Sequence, residues 1–471
     1  MPADPQPTVA FVSLGCPKNL VDSERILAML ALDGFIVTGD PDGADVAVVN
    51  TCAFIDLARA EADEHIAALE ELKAAGRLRS VVVAGCMAQR EGARLLARHP
   101  AVDAVVGIGD RNALAEVCRE VLARQEGASL AAPLAGRVLC PDDNAIVRVG
   151  PHPACPPDDG ERLRLTPRHY AYLRISEGCD NRCAYCAIPE IRGPLRSKPP
   201  EQVLAEAAEL AADGTRELVL IGQDTTSYGK DLAETGSDPI SLAHLLAALR
   251  ERVQVDWIRV MYTHPASFGD DVIAEFAKGL PVVPYVDLPL QHINDSILAS
   301  MGRRTTRAEI ERLIAKIRAV VPGVALRTSL IVGYPGETEE TFEELVAFVR
   351  EVRFDHVGVF VYSPEPGTHA ATMPNPVPGK MRRKRWERLM RVAETLAHES
   401  ARQQIGRTLT VRVDGPAHVA GKLAARHAGQ APDVDAVVLL PDGAAEIGQT
   451  LTVRIAGARE YDLVGKVQGG R

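Results

Sequence analysis

The sequence predicts an α/β protein with three folded parts: a flavodoxin-like unit, a partial barrel of six βα units, and a small antiparallel, OB-like barrel. Through most of the 471 residues, short apolar strand patterns alternate with amphipathic helical patterns. The last part instead shows short strands of alternating polarity, separated by Gly, Pro and Asp. This change of period, in a chain long enough for about three domains, predicts the architecture.

Residues 7–124 are predicted to form a parallel sheet with helices on both faces. The strand candidates are 8–13, 45–49, 80–84 and 102–108, and the helices between them include 23–32 and 60–75. Parallel strands that are covered on both faces are continuously apolar, as these runs are. We therefore expect a flavodoxin-like N-terminal domain.

Residues 125–164 do not continue this alternation of strands and helices. Prolines cluster here with Gly and Asp, which is typical of connecting segments, so we predict a linker or an irregular arm. The segment carries Cys140 and Cys155, which have no partner at the spacing of metal ligands. We interpret both as free thiols.

Residues 165–400 return to the alternating pattern. The six strand candidates are 172–176, 217–222, 257–262, 285–290, 325–332 and 356–362, with helices such as 201–212, 307–320 and 340–350 between them. Six parallel βα units suggest an open partial barrel. In βα barrels the chemistry sits at the C-terminal ends of the strands.

Residues 402–469 form the last predicted domain. Its strand candidates are 409–413, 434–440, 451–455 and 461–467. Several short strands at this spacing, with turn residues between them, predict a small antiparallel barrel of the OB type.

Three cysteines in one loop, Cys179, Cys183 and Cys186, have the spacing CxxxCxxC. Three thiolates can ligate three corners of a cubane iron–sulfur cluster and leave the fourth iron open to a small molecule. Common zinc sites use CxxC pairs with a fourth Cys or His, so the spacing argues against zinc. The loop follows the first predicted barrel strand, where functional residues concentrate.

A second cysteine triad is scattered in sequence, but each member follows a predicted strand. Cys16, Cys52 and Cys86 come after the first, second and third strands of the N-terminal sheet. The ends of parallel strands meet along one edge, which is where ligands bind in open α/β sheets. We therefore expect the three thiols to converge, whereas the alternative is three ordinary buried cysteines.

Composition restricts the cellular setting. The chain opens without the basic and apolar regions of an export signal, and its nine cysteines favour metal or redox chemistry over disulfides. We therefore predict a cytoplasmic protein that does not contact a membrane. A net charge of −10 provides no global attraction to nucleic acid.

The cysteine loop resembles the signature loop of radical S-adenosylmethionine (SAM) enzymes. Together with the N-terminal triad and the small C-terminal barrel, it resembles the radical SAM methylthiotransferases, whose final domain is called TRAM. Within that family, the runs 13–24 (SLGCPKNLVDSE), 50–55 (NTCAFI) and 174–179 (RISEGC) resemble the branch called RimO. The resemblance implies conversion of an aspartate of ribosomal protein S-twelve to 3-methylthioaspartate.

The same resemblance implies the cofactors and partners. Two 4Fe-4S clusters are expected, one on Cys179, Cys183 and Cys186 that binds SAM and delivers an electron to it. The other, on Cys16, Cys52 and Cys86, would present the sulfur that carries a methyl group from another SAM. The expected partners are the small ribosomal subunit and a reducing protein such as flavodoxin or ferredoxin.

Five further residues are candidates for binding SAM: Tyr185, Gln223, Asp224, Arg327 and Gly333. Tyr185 lies between two cluster ligands, although it could equally be a packing aromatic. Arg327 could bind the SAM carboxylate through both guanidinium nitrogens, but a structural ion pair is nearly as well supported. A glycine such as Gly333 more safely shapes the backbone than contacts a ligand.

The substrate surface is predicted from charge. From Arg402 to the C-terminus there are nine Lys or Arg and seven Asp or Glu, too balanced for a dedicated RNA-binding domain. Asp433 and Asp435 would attract a basic protein loop. The alternatives are the same chemistry on tRNA, as in the branch called MiaB, and a non-catalytic RNA-binding iron–sulfur protein.

Overall fold

The computed structural model describes residues 6–126, 138–139, 145–232 and 240–468. Its contacts divide the chain into two compact units that interleave along the sequence. The first unit extends to Leu165 and takes in Glu177–Asn181 and Cys186–Arg196, and the second contains the other segments. Within the described ranges, none of the helices combines the length and apolar character that a membrane crossing requires.

The first unit is built on a mostly parallel sheet. Its strands are β1 Thr8–Ser13, β2 Ile36–Thr38, β3 Val46–Thr51, β4 Ser80–Gly85, β5 Ala104–Gly107, β6 Val138–Leu139 and β7 Ile146–Arg148. Its α-helices are α1 Pro17–Leu32, α2 Asp56–Ala74, α3 Cys86–Glu91, α4 Leu114–Gln125 and α5 Ile188–Arg192. The strand order is β2-β1-β3-β4-β5-β7-β6. Its first five strands follow the flavodoxin-like order, which confirms the predicted fold.

Both faces of this sheet are covered. In β4, Val81 and Val83 pack into one apolar cluster, while Val82 and Ala84 pack into another. Successive side chains of a strand point to opposite faces, so the two clusters are layers on either side. Every residue of β3 is buried, as expected for a strand covered on both sides.

The predicted linker contributes to this sheet. β7 lies in the proline-rich segment and pairs in parallel with β5, with Ala104 opposite Ile146. The sequence analysis missed this strand because its three residues are flanked by prolines and glycines. Cys140 lies outside the described residues, and Cys155 is an exposed free thiol.

The second unit contains the predicted partial barrel. Its strands are β8 Tyr170–Arg174, β11 Glu217–Ile221, β12 Trp257–Val260, β13 Val282–Asp287, β14 Ala325–Val332 and β15 His356–Val361, and the short strands β9 Ser176–Glu177 and β10 Arg196–Ser197 lie in sequence after β8. The six barrel strands are all parallel, in the order β15-β14-β13-β12-β11-β8. The α-helices are α6 Pro200–Ala212, α7 Leu242–Arg252, α8 Asp270–Ala277, α9 Asp295–Ser300, α10 Arg307–Val320, α11 Glu339–Val352 and α12 Gly379–Gln404.

A closed five-stranded barrel completes the second unit. Its strands are β16 Thr408–Pro416, β17 Lys422–His427, β18 Val438–Pro441, β19 Thr450–Arg459 and β20 Asp462–Val467, joined in the order β16-β17-β18-β20-β19. The sequence analysis predicted four of these strands. It missed β17, whose run KLAARH lacks the β-branched and aromatic residues that mark a strand.

The small barrel is fixed to the partial barrel by buried polar contacts. Glu217 of β11 accepts hydrogen bonds from Arg426 at 2.8 Å and from Arg259 at 2.8 Å, and all three side chains are buried. The prediction for Asp435 was wrong: its side chain is 2% exposed and accepts a hydrogen bond from the Tyr285 hydroxyl. Asp433 likewise accepts one from the Tyr172 hydroxyl, because this segment packs against the partial barrel.

Candidate functional site

The N-terminal triad lies where the strand order reverses. Cys16 follows β1, Cys52 follows β3, and Cys86 follows β4 as the first residue of α3. β1 and β3 are neighbours, although β2 lies between them in sequence, and such a switch point opens a crevice at the strand ends. Cys16 also caps the N-terminus of α1, whose partial positive charge stabilises a thiolate.

Two glycines bring the strand ends together. Gly15 has a φ of +97°, and a Cβ there would lie 2.7 Å from the Cys52 Cβ and 3.3 Å from its Sγ. Gly85 has a φ of +93°, and a Cβ there would lie 2.3 Å from the Asn50 Oδ1. Only glycine combines this backbone conformation with the absent side chain that such an approach requires.

Buried amide side chains hold the loops of the triad. Asn19 donates from Nδ2 to the carbonyl oxygens of Leu14 at 3.1 Å and Thr51 at 2.8 Å. Asn50 donates to the Asn19 carbonyl oxygen at 3.0 Å and to the Ser23 hydroxyl at 2.8 Å. The loops that carry Cys16 and Cys52 are thus fixed to each other.

The three thiols influence each other electrostatically. Burial raises the pKa of Cys52, and the neighbouring charge of Cys16 raises it further. Burial also raises the pKa of Cys86, to about 12, against the lowering effect of Arg192. Thiols of this kind remain protonated near neutral pH until a metal displaces the proton.

The donor set of the N-terminal triad consists of three cysteine thiols. All three thiols are free, and no three His, Cys, Asp or Glu side chains of the described residues lie close enough together to bind one metal ion. The ligands of a cubane bind different irons, so its thiolates stand further apart than the ligands of one ion. Three cysteine thiols are the donor set of a cubane that keeps one iron open.

We expect Gly85→Ala to prevent metal loading at the triad. A methyl group at this position would collide with Asn50 and with the Thr51 backbone, and α3 would carry Cys86 away from its partners. Iron content after anaerobic reconstitution measures the effect. Gly76→Ala is a suitable control, since Gly76 also has a positive φ but open space around its Cα. Equal iron in the two variants would contradict the prediction.

The CxxxCxxC loop begins and ends in the first unit. The Cys179 amide donates to the Gly193 carbonyl oxygen at 3.1 Å, and Asp180 accepts from the Leu195 amide at 3.0 Å. A Cβ on Gly178 would lie 1.9 Å from the Pro194 carbonyl oxygen. The Cys186 sulfur accepts from the Ile188 amide at 3.5 Å. Backbone packing therefore fixes the position of this loop.

Cys183 lies in the second unit, among residues of the barrel mouth. This name refers to the C-terminal ends of the barrel strands and the loops that follow them. The Arg303 Nη1 is 4.0 Å from its sulfur. The next residue, Ala184, donates to the Met301 carbonyl oxygen at 2.9 Å, and its own carbonyl oxygen accepts from Ala370 at 2.8 Å. All three cysteines of the loop are of intermediate exposure.

Buried polar atoms without partners mark the same mouth. Among the described residues, the hydroxyl groups of Ser176 and Tyr362, the Nε2 of His292 and the Nε of Arg303 lack a hydrogen-bond partner. A Cβ on Gly222 would lie 2.7 Å from the Ser176 Oγ, so this strand end packs closely against the Ser176 side chain. Unsatisfied polar groups of this kind fit a polar ligand such as SAM.

The five predicted SAM contacts occupy different environments. Tyr185 packs on the apolar cluster of Tyr334 and Tyr362. Gln223 and Asp224 directly follow β11 and Gly222, and both Asp224 oxygens accept hydroxyl hydrogen bonds, from Thr226 and Ser227.

The other two predicted contacts are engaged within the protein. Arg327 donates to Asp287 at 3.0 Å and lies 3.4 Å from Asp435, a geometry that favours the structural ion pair. The Gly333 amide donates to Glu337 at 2.9 Å, and Arg385 donates to the same carboxylate at 2.7 Å. Arg385 of α12 thus points into the protein, where its side chain is buried.

Several residues of the mouth are not among the five predicted SAM contacts. Tyr362 and Arg303 belong to no motif, and Ser176 lies in the run 174–179 without a predicted role, so only the folded chain reveals their place at the mouth. Tyr262 and Gln291 follow neighbouring barrel strands and have φ values of 60° and 72°. Such backbone strain in residues other than glycine is concentrated at functional sites.

Comparison with known families agrees with this architecture. Residues 173–349 match the Radical SAM superfamily, 8–107 match the uncharacterized protein family UPF0004, and 405–467 match the TRAM domain. The chain also has the fold of TsrM, a radical SAM methyltransferase from Kitasatospora setae. The TM-score is 0.52 at 15% identity, over 75% of this chain and 73% of that one. The protein is thus an enzyme of the radical SAM class, which uses SAM and a 4Fe-4S cluster.

Close relatives narrow this class. A ribosomal protein uS12 methylthiotransferase RimO from Anaeromyxobacter sp. (strain Fw109-5) is 45% identical over 97% of this chain and 92% of the relative. Proteins of the same name from Myxococcus xanthus and Pelobacter propionicus are 42% and 41% identical over 97% and 98% of this chain, and over 91% and 98% of the relatives. The chain belongs to the RimO family of methylthiotransferases.

Proposed function

We propose that this enzyme converts an aspartate of uS12, the S-twelve protein named above, to 3-methylthioaspartate. The observation that carries the proposal is the meeting of Cys16, Cys52 and Cys86 at one sheet edge in a chain of the radical SAM class. A radical SAM enzyme needs only the CxxxCxxC loop to cleave SAM. A second set of three thiols is what the transfer of a sulfur group additionally requires.

In this proposal, Cys179, Cys183 and Cys186 hold the SAM-binding cluster. When bound, the cluster supplies the electron for reductive cleavage of SAM, from which the hydrogen-abstracting radical comes. Ser176 and Tyr362 offer buried hydroxyl groups that lack a hydrogen-bond partner within the described part of the chain. Tyr185, Gln223, Asp224 and Gly333 remain candidates for the SAM cradle, whereas the ion pair of Arg327 with Asp287 argues for a structural role.

Cys16, Cys52 and Cys86 hold a second 4Fe-4S cluster in the proposal. Gly15 and Gly85 allow the three cysteine loops to approach one another. Asn19 joins the loops of Cys16 and Cys52 through its hydrogen bond to the Thr51 carbonyl oxygen. The burial of Cys52 and Cys86 limits the access of water to the sulfur that is transferred.

The remaining partners follow from the chemistry. Reductive cleavage of SAM consumes an electron, so a reducing protein such as flavodoxin or ferredoxin must supply it. Since uS12 belongs to the ribosome, we place the enzyme in the cytoplasm. A non-catalytic role is disfavoured, because a scaffold protein has no use for unsatisfied polar groups at the mouth of a barrel.

A direct test combines both clusters. The anaerobically reconstituted enzyme is given SAM, dithionite and either uS12 or a peptide that carries its candidate loop. We expect a mass increase of one SCH2 unit, located on an aspartate by fragmentation. Cleavage of SAM without this increase, followed by methylthiolation of tRNA in a parallel reaction, would contradict the uS12 assignment and support the tRNA alternative.

A further inference from the structure

Helix α5 carries a buried arginine to the N-terminal triad. Arg192 is 1% exposed, and its Nη2 lies 3.4 Å from the Cys86 sulfur. The helix follows the CxxxCxxC loop directly, and Arg192 is six residues after Cys186. Ala187 and Ile191 of the same segment pack into the apolar cluster that contains Cys86. Packing therefore positions the guanidinium beside the sulfur.

The contacts of Arg192 use the shape of the guanidinium. Nη1 donates to both oxygens of Glu177, at 2.9 and 3.0 Å. Nη2 donates to the Asn19 Oδ1 at 2.5 Å and to the Asp22 Oδ2 at 3.0 Å, in addition to the sulfur. A lysine ammonium has three donors on one nitrogen and cannot span these acceptors. The site therefore selects arginine by geometry as well as by charge.

The charges around Arg192 show what it contributes to the sulfur. A second arginine, Arg111, donates to the Asp22 Oδ1 at 2.8 Å, so two guanidinium groups face the carboxylates of Asp22 and Glu177. The two guanidinium charges of Arg192 and Arg111 thus balance the two carboxylate charges of Asp22 and Glu177 before a cluster binds. Electron density on the Cys86 sulfur then faces a guanidinium that is held in place by other groups.

We propose that Arg192 is a positioning residue that raises the reduction potential of the cluster on Cys16, Cys52 and Cys86. The inference rests on the proposed function, since it presupposes that cluster. One-electron reduction adds a negative charge, and a hydrogen bond to a ligating sulfur together with a nearby cation stabilises that charge. The segment that carries the SAM-cluster ligand Cys186 therefore also sets the redox properties of the sulfur-transfer site.

The test isolates this cluster. In the full-length chain, the substitutions Cys179→Ala, Cys183→Ala and Cys186→Ala remove the ligands of the SAM cluster and leave the N-terminal triad intact. After anaerobic reconstitution, a redox titration followed by EPR gives the midpoint potential. We expect Arg192→Gln to shift the reduction equilibrium about tenfold toward the oxidised cluster, which corresponds to about 59 mV for one electron.

Two further variants separate the contact with sulfur from general effects. Arg192→Gln leaves Arg111 as the single guanidinium for the two carboxylates of Asp22 and Glu177 and can unfold the unit, so Arg192→Gln combined with Glu177→Gln restores the balance. We expect this double variant also to have the lower potential, because the hydrogen bond to sulfur is still lost. Arg196→Gln is the matched control, since Arg196 is buried in the same segment and donates to Arg192 and Pro153 carbonyl oxygens.

The outcomes are distinct. An unchanged potential in the folded, iron-loaded double variant would overturn the role of Arg192 and leave the proposed function intact. A shift of the same size in Arg196→Gln would also overturn it, because any change in the segment would then suffice. If the variant with alanine in place of Cys179, Cys183 and Cys186 bound no iron, the second cluster itself would be contradicted. The role of Arg192 would then be contradicted as well.

Discussion

Replacement of Cys52 by alanine is expected to abolish methylthio transfer and to leave SAM cleavage in place. Cys52 follows β3 at the strand reversal, and its side chain lies against the backbone of Gly15 in the loop that carries Cys16. Loss of one of three ligands should remove about half of the bound iron, that of one cluster out of two. The SAM cluster has its own ligands and should remain. Iron analysis, SAM cleavage and the mass of uS12 measure the three quantities.

The reciprocal variant and a matched control complete this experiment. Cys183→Ala should abolish SAM cleavage as well as transfer, because cleavage needs the electron from this cluster and transfer needs the radical that cleavage produces. Cys118→Ala should change neither, since Cys118 is a buried thiol of α4, remote in sequence from both motifs, and burial raises its pKa to about 12. If Cys52→Ala still transferred the methylthio group, the N-terminal triad would have no part in sulfur delivery.

The arrangement of the cysteines is predictable from the sequence, because the ends of apolar strands can be recognised there. Cys16, Cys52 and Cys86 each follow an apolar run, and parallel topology brings such ends to one edge without any knowledge of contacts. The six barrel strands are predictable for the same reason, since their apolar runs alternate with helices. Local pattern and topology thus agree for most of the fold.

What the sequence does not predict depends on contacts between distant segments. β7 has three residues and becomes a strand only because β5 pairs with it. Asp435 looks like a surface acid in the sequence, but its segment packs against the partial barrel and the Tyr285 hydroxyl donates to it. Arg192 lies more than a hundred residues from Cys86 in sequence, and no local pattern joins them.

The second prediction with a large effect concerns Glu217, which joins the small barrel to the partial barrel. Its carboxylate accepts hydrogen bonds from Arg259 and Arg426, and all three side chains are buried. Glu217→Gln leaves two buried guanidinium groups without their shared counter-charge. Removal of one partner from a buried ion pair costs about 3–5 kcal/mol. We expect a loss of this size in the free energy of unfolding of the second unit.

The loss should depend on pH in a defined direction. Burial alone would raise the pKa of Glu217, but the charges of Arg426 and Arg259 outweigh it and lower the pKa to about 2. The unfolded chain takes up the proton near the ordinary value of 4.5. The stabilisation is therefore complete above that value and is lost as the pH falls toward 2, so the parent and Glu217→Gln should converge at acidic pH.

Urea unfolding followed by tryptophan fluorescence measures both effects. Trp257 of β12 lies opposite Glu217 in the sheet, and Trp386→Phe makes it the single tryptophan of the chain. Glu201→Gln is the control, because the pair of Glu201 with Arg252 is exposed on both sides and should not shift the midpoint. If the difference between parent and Glu217→Gln were the same at pH 7 and at pH 3, its cause would be altered packing. A difference that shrinks on acidification identifies the charge of the Glu217 carboxylate as the source of the lost stability.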